Sequence, residues 1–122
     1  MATTPPALTL ALKLQRRAST VGFDWPDASG PRAKISEELA ECDAAVANPD
    51  HLAAEIGDLL FSVVNWARHM QIDPETVLRS ANARFISRFK CVETLADGPL
   101  VDLSLAELEQ LWQRAKAIER EG

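Results

Sequence analysis

The sequence predicts an all-α protein: an antiparallel bundle of four to five helices, associated through its central helices. Three observations lead there. Apolar residues recur at helical spacing along most of the 122 residues. No period-two segment of useful length is present. Proline, glycine and capping residues cut the chain into helix-sized pieces.

The first helix is expected from Pro5 or Pro6 to Thr20, with Leu8, Leu10, Leu12 and Leu14 as its apolar surface. The loop Val21-Gly22-Phe23-Asp24-Trp25-Pro26-Asp27-Ala28-Ser29-Gly30 follows. Its two aromatics fit two readings, a ligand contact or a plug for the end of the bundle. Helix two should open at Pro31, a good first-turn residue, and end near Asn48. Pro49 opens helix three, which reaches about Gln71. Asp73-Pro74 caps and opens helix four, which runs to about Ala96. Asp97-Gly98-Pro99 breaks the chain. Ser104 with Glu107 forms a capping box for a last helix ending near Glu121. Helix three, with Leu59, Leu60, Phe61, Val63, Val64, Trp66 and Ala67, is apolar nearly all round. Such a helix is buried, and in a domain this small a second subunit is the simplest cover. A homo-oligomer, most simply a dimer, is therefore expected.

Composition bounds the function. Residues 1–122 read as one domain, and an apolar share of 47% is enough for a core. A formal charge of −5 argues against binding nucleic acid polymers or an anionic membrane. The stretch Met1 to Leu14 has no basic residue before Lys13, so it does not fit a signal peptide, and no segment is long enough to span a membrane. Cys42 and Cys91 have no metal-binding or CxxC spacing and read as reduced thiols in the cytoplasm.

The chemistry lies in two acidic signatures. Glu37-Glu38-Leu39-Ala40-Glu41 is EExxE, and Glu55-Ile56-Gly57-Asp58, which follows after thirteen residues, is ExxD. On helix two, Ile35, Leu39, Cys42 and Val46 fall within about 40° of one another and define the expected core stripe. Glu38 and Glu41 flank it, with Glu37 further round. On helix three, Glu55 and Asp58 flank the stripe of Leu52, Ile56, Leu59 and Val63. Antiparallel packing through the turn at Pro49 would bring Glu38, Glu41, Glu55 and Asp58 together. Two like charges about 5 Å apart repel by roughly 3 kcal/mol at an effective dielectric near 20. Within helix two only Lys34 offers relief. Mg²⁺, or Mn²⁺ in its place, would convert the repulsion into affinity. With no His or Cys ligands around the acids, zinc and copper fit poorly. The competing reading is a solvated acidic face.

These residues resemble the MazG-type nucleoside triphosphate pyrophosphohydrolases of the all-α NTP pyrophosphatase superfamily. The resemblance extends through Leu14-Gln15-Arg16-Arg17, Val21 to Pro26, Gly57 to Phe61, Val64 to His69, Asn82 to Phe89 and Leu111 to Lys116. It is closest to the C-terminal of the two MazG repeats, here standing alone. It implies that Glu38, Glu41, Glu55 and Asp58 ligate Mg²⁺, and that Glu37 is a further ligand or the base for the attacking water. It also implies nucleotide contacts from Lys34, Asn82, Arg84, Arg88, Trp112 and Lys116. His51 stands where a longer basic residue is expected. From the residues alone, Arg84 and Arg88 are i,i+4 and form either a phosphate fork or a solvated basic face. Trp112 and Lys116, also i,i+4, allow stacking on a base with an amine toward phosphate, or plain packing. Asn82 fits a substrate contact or a bond to a neighbouring helix.

The resulting expectation is Mg²⁺-dependent hydrolysis of a nucleoside triphosphate to monophosphate and pyrophosphate, serving nucleotide-pool housekeeping. Two rivals stand beside it. One is a pyrophosphohydrolase for dUTP, dCTP or phosphoribosyl-ATP. The other is a helical dimer that binds nucleotide or metal without turnover.

Overall fold

The computed structural model describes residues 4–121; the first three residues of the N-terminal stretch and Gly122 lie outside it. The described residues form five α-helices, α1 (Ala7–Thr20), α2 (Ser29–Ala44), α3 (Pro49–His69), α4 (Pro74–Leu95) and α5 (Leu105–Glu121), with a 3-10 turn at Leu100–Asp102 and no strand. The all-α expectation holds. None of these helices is long and apolar enough to cross a membrane. The residues group into two compact units that divide within α4, after Val77.

In the first unit α2 and α3 form a hairpin and α1 packs on α3. The turn is set locally. The Asn48 side chain accepts the His51 backbone N–H at 3.2 Å, and Pro49 takes the first helical position, where a missing N–H costs nothing. α2 starts two residues earlier than expected, because Asp27 Oδ1 accepts the Ser29 backbone N–H at 2.9 Å and also its hydroxyl. It ends earlier too, at Ala44, where the Ala45 N–H turns back to the Glu41 and Cys42 carbonyls. α4 opens as foreseen: Asp73 accepts the Glu75 N–H at 3.1 Å and the Thr76 hydroxyl at 3.0 Å.

The buried face of α2 differs from the stripe read off the wheel. Pro31, Glu38, Cys42 and Ala45 are buried, whereas Leu39 and Val46 are exposed. The helix is rotated by about one residue, so Glu38 lies in the seam against α3 instead of beside it. α3 shows the same shift. Ser62 and Val64 are buried, while Ile56 and Val63 are exposed. The acids, not only the aliphatics, occupy the contact between these two helices.

In the second unit, Ser104 and Glu107 cap α5 reciprocally: Glu107 N–H donates to the Ser104 hydroxyl at 3.1 Å and Ser104 N–H to Glu107 Oε1 at 3.0 Å. Val92 and Ala115 are buried, and the Phe85 ring contacts Phe89 and Trp112 at centroid distances of 5.9 and 5.4 Å. The 3-10 turn was not foreseen; it follows Gly98, whose φ of +142° suits a residue without a Cβ.

Candidate functional site

The hairpin brings carboxylates from both helices into one cluster. Glu38, Glu55 and Asp58 each offer an oxygen, and these oxygens all lie within 4.8 Å of one another. Glu38 is 4% exposed. Its Oε2 and the Oε2 of Glu55 are buried without a hydrogen-bond partner among the described residues. A buried carboxylate oxygen left unpaired costs free energy, and a cation is the ligand that removes the cost. Glu41 lies against Glu55 and Glu38. The hydrogen bonds it shares with Glu55 and then Glu38, followed by some burial and by their negative charge, push its carboxyl up to about 7. Glu38 moves the other way, because the Lys34 ammonium bonded to it favours its charged form. Lys34 Nζ lies 3.1 Å from Glu38 Oε1 and 3.2 Å from Glu37 Oε1. Glu37 itself faces solvent and stands outside the cluster.

The donors fit a hard divalent cation such as Mg²⁺ or Mn²⁺, which prefers carboxylate oxygen. The gathered oxygens come from carboxylates alone among the described residues, with one His and one Cys close by. His51 Nε2 sits 3.1 Å from Glu55 Oε1, and the Cys42 thiol is pushed up by burial and then by the nearby Glu55, Asp43, Glu38 and Glu41. At i,i+4, His51 reaches the Glu55 carboxylate as an outer partner, while the cluster that gathers oxygens remains purely carboxylate.

Further along α3 a cavity of about 510 Å³ opens beside the loop after α1. Phe23, Trp25, Leu14 and Phe61 supply its apolar walls, and Gln15, Asp24, Asn65 and Arg68 its polar ones. Phe23 is 82% exposed, so the two loop aromatics do not plug the end of a bundle. Gly30 makes room for Trp25: a Cβ there would come within 2.5 Å of the indole. The loop is pinned by Asp24. Arg68 donates to both Asp24 oxygens, at 2.5 and 3.0 Å, His69 Nε2 lies 2.9 Å from Oδ1, and the Trp25 backbone N–H donates to Oδ1 at 2.8 Å. The Arg68 hydrogen bonds, seconded by those of His69 and the Trp25 N–H, hold the Asp24 carboxyl well below the usual carboxylate range despite burial.

Residues 30–92, just over half of the chain, match the MazG nucleotide pyrophosphohydrolase domain. The chain belongs to that family. Similar full-length proteins include the nucleoside triphosphate pyrophosphohydrolase/pyrophosphatase MazG of Thermotoga maritima, 45% identical over 91% of this chain and 44% of that protein. The nucleoside triphosphate pyrophosphohydrolase of Escherichia coli is 37% identical over 91% of this chain and 45% of that protein. The chain thus spans less than half the length of these curated relatives.

Within this MazG domain the matched segment covers Lys34, all five signature acids, Asn82, Arg84 and Arg88, but not Trp112 or Lys116. Asn82, Arg84, Arg88, Trp112 and Lys116 all belong to the second unit. There Arg88 donates from Nε to Glu119 Oε2 at 2.5 Å and lies over the Trp112 ring, 5.9 Å from its centroid. Arg88 is therefore partly committed to its own unit, whereas Arg84 is exposed. Trp112 and Lys116 are half-buried. Sequence reasoning missed the role of Asp24, the cavity and Gln15. The signal for Asp24 was a lone acid between two aromatics; its side-chain partners lie 44 and 45 residues away.

Proposed function

We propose that this MazG chain, acting as a single domain over residues 1–122, hydrolyses nucleoside triphosphates to the monophosphate and pyrophosphate. The observation that carries the reading is the three-carboxylate cluster with two buried, unpartnered oxygens in a chain of this family. The names of the curated relatives point to the same reaction class.

Glu38, Glu41, Glu55 and Asp58 would hold Mg²⁺, with Mn²⁺ as a substitute. The metal supplies neutralisation of phosphate charge and a more acidic water. The remaining work falls to the side chains. The water attacks the α-phosphorus, and the bond from that phosphorus to the bridging oxygen breaks, so both electrons leave with pyrophosphate. Glu37, exposed and bonded to Lys34, is the carboxylate proposed to take the proton or to serve as a further ligand, while Glu38 and Glu41 act through the metal they would hold. Lys34, Asn82, Arg84, Arg88, Trp112 and Lys116 are proposed to contact the nucleotide, with the cations offsetting charge on the leaving group.

The active form is proposed to be a homo-oligomer, most simply a dimer. Ile56, Leu60, Val63 and Trp66 keep α3 apolar on faces that its own unit leaves open, and a second copy would cover them. The protein is assigned to the cytoplasm and to nucleotide-pool housekeeping, in keeping with two unpaired thiols, Cys42 and Cys91.

The test is product analysis with each common NTP and dNTP and Mg²⁺. Monophosphate plus pyrophosphate, abolished by EDTA, is the expected result. Diphosphate plus phosphate would rule out attack at the α-position. No product from any triphosphate would leave a binder without turnover.

A further inference from the structure

Two of the clustered carboxylates are held by the same device. On α2, Lys34 Nζ lies 3.1 Å from Oε1 of Glu38, the residue one helical turn on. On α3, His51 Nε2 lies 3.1 Å from Oε1 of Glu55, again one turn on. An ionised carboxylate only accepts, so this imidazole carries its proton on Nε2. In both glutamates the other oxygen, Oε2, is buried and has no hydrogen-bond partner among the described residues. Each helix therefore engages one oxygen of its acid and leaves the second in the interior.

Packing alone does not fix Glu55. A cavity of about 320 Å³ lies on the His51 side of the cluster, walled by Glu41, Ala44, Ala45, His51 and Glu55. Two of those residues are alanines, so little bulk stands against the carboxylate, and His51 is what holds its Oε1. The histidine is itself placed by the backbone. Its N–H donates to Asn48 Oδ1 at 3.2 Å, which sets the ring in the first turn of α3, within reach of the next. An exposed pair of this kind adds little to stability, so its value lies in what it does to Glu55.

The number of oxygens a carboxylate offers decides which divalent cation it suits. Ca²⁺ collects about six to eight oxygens and readily takes both from one carboxylate. Mg²⁺ demands a tight octahedron, keeps several waters and takes few carboxylate oxygens. A glutamate whose Oε1 is already bonded offers one oxygen, which suits Mg²⁺ and starves Ca²⁺. The two ions carry the same charge, so the crowded acids attract both alike and geometry has to separate them.

We propose that Lys34 and His51 are positioning residues that hold Glu38 and Glu55 to one oxygen each, so that the acid cluster selects Mg²⁺ against Ca²⁺. The inference rests on the reading of the cluster as a divalent-cation site and adds what sets its choice of ion. Both residues act through the glutamate they hold, and Lys34 does so in the nucleotide-free protein, before any phosphate is bound.

The experiment is a calorimetric titration of the metal-free protein with Mg²⁺ and with Ca²⁺, without nucleotide. The readout is the ratio of Kd for Ca²⁺ to Kd for Mg²⁺, and the wild type should favour Mg²⁺. In His51→Ala the ratio should fall by about 10-fold, mainly through tighter Ca²⁺ binding. Lys34→Met should move it in the same direction. A lost charge alone changes both affinities together and leaves the ratio where it was. His51→Gln, which keeps a neutral N–H donor one turn from Glu55, should restore most of the wild-type ratio. An unchanged ratio in His51→Ala or Lys34→Met, a His51→Gln ratio as low as that of His51→Ala, or a wild type that favours Ca²⁺ would overturn the proposal. Should one of the two clamp variants fail to fold, the other decides. Failure of the underlying reading looks different: the wild type would then bind neither ion, and the proposal would fall with it.

Discussion

The two ends of α3 handle carboxylates in opposite ways. Near its C-terminus Asp24 is met by Arg68, by His69 and by a backbone N–H, so its charge is neutralised by the chain itself. Near its N-terminus Glu38, Glu41, Glu55 and Asp58 share one short lysine contact and one histidine, and two buried oxygens have no partner. The same chemical group is a structural pin at one end and is left with unpartnered buried oxygens at the other. What separates them is whether the fold brings donors along with the acid. A helix can be apolar over most of its surface and still carry both kinds, since each is set by a neighbouring segment: the loop after α1 in one case, α2 in the other.

Substitution should break the symmetry between the two ends most sharply. Glu38→Gln and Asp58→Asn are expected to lower triphosphate hydrolysis by roughly 100-fold or more, as removal of a metal ligand does, while leaving metal-free thermal stability equal or higher. Steady-state rates and melting curves on the same preparations check both halves. Asp24→Asn should do the reverse. Arg68 would lose its charged partner, and stability should fall by about 1–3 kcal/mol in urea titrations whether or not metal is present. If Asp24→Asn left stability untouched, the pin would not be structural.

Stability against pH separates the ends without mutation. Glu41 is held up to about 7 in the folded protein, above the ordinary carboxylate value. Between the two values the folded state binds a proton that the unfolded state has lost, so stability must fall as pH rises through that interval. Asp24 is displaced downward, so its contribution is constant above the usual carboxylate range and is lost only in acid. Metal-free protein should therefore melt at progressively lower temperature from about pH 5 to pH 8, and Mg²⁺ should flatten the slope. A metal-free melting temperature that does not move across this range would contradict the crowding of Glu41.

The smallest effect is expected at His51. It touches Glu55 from an exposed position, and pairs of that kind contribute about 0–1 kcal/mol, so His51→Ala should weaken Mg²⁺ affinity by less than about 5-fold. A larger loss would make His51 part of the cluster proper.

Much of this was legible in the sequence because it is local. Pro49, Asp73-Pro74 and the Ser104–Glu107 pair act within one helical turn, and the helices begin where those residues say. The acid pairs were legible for the same reason, as i,i+3 spacing is a property of one helix. The face they occupy was not. Counting aliphatics put Ile35, Leu39 and Val46 in the core of α2, whereas the fold buries Glu38 and exposes Leu39 and Val46. Hydrophobic periodicity assumes that apolar residues win the seam, and the buried Glu38 violates that assumption. The Asp24–Arg68 bond and the bond from Gln15 to the Phe61 carbonyl were invisible because both depend on partners 44 to 46 residues away.

The most direct test of the account is a calorimetric titration of the metal-free protein with Mn²⁺ and Mg²⁺ near pH 7, without nucleotide. Saturable binding is predicted, with proton release as Glu41 gives up its proton. Glu55→Gln should abolish that binding and Asp24→Asn should keep it. Absence of binding, or binding that survives in Glu55→Gln, would mean that the unpaired carboxylates at the start of α3 are not a metal centre.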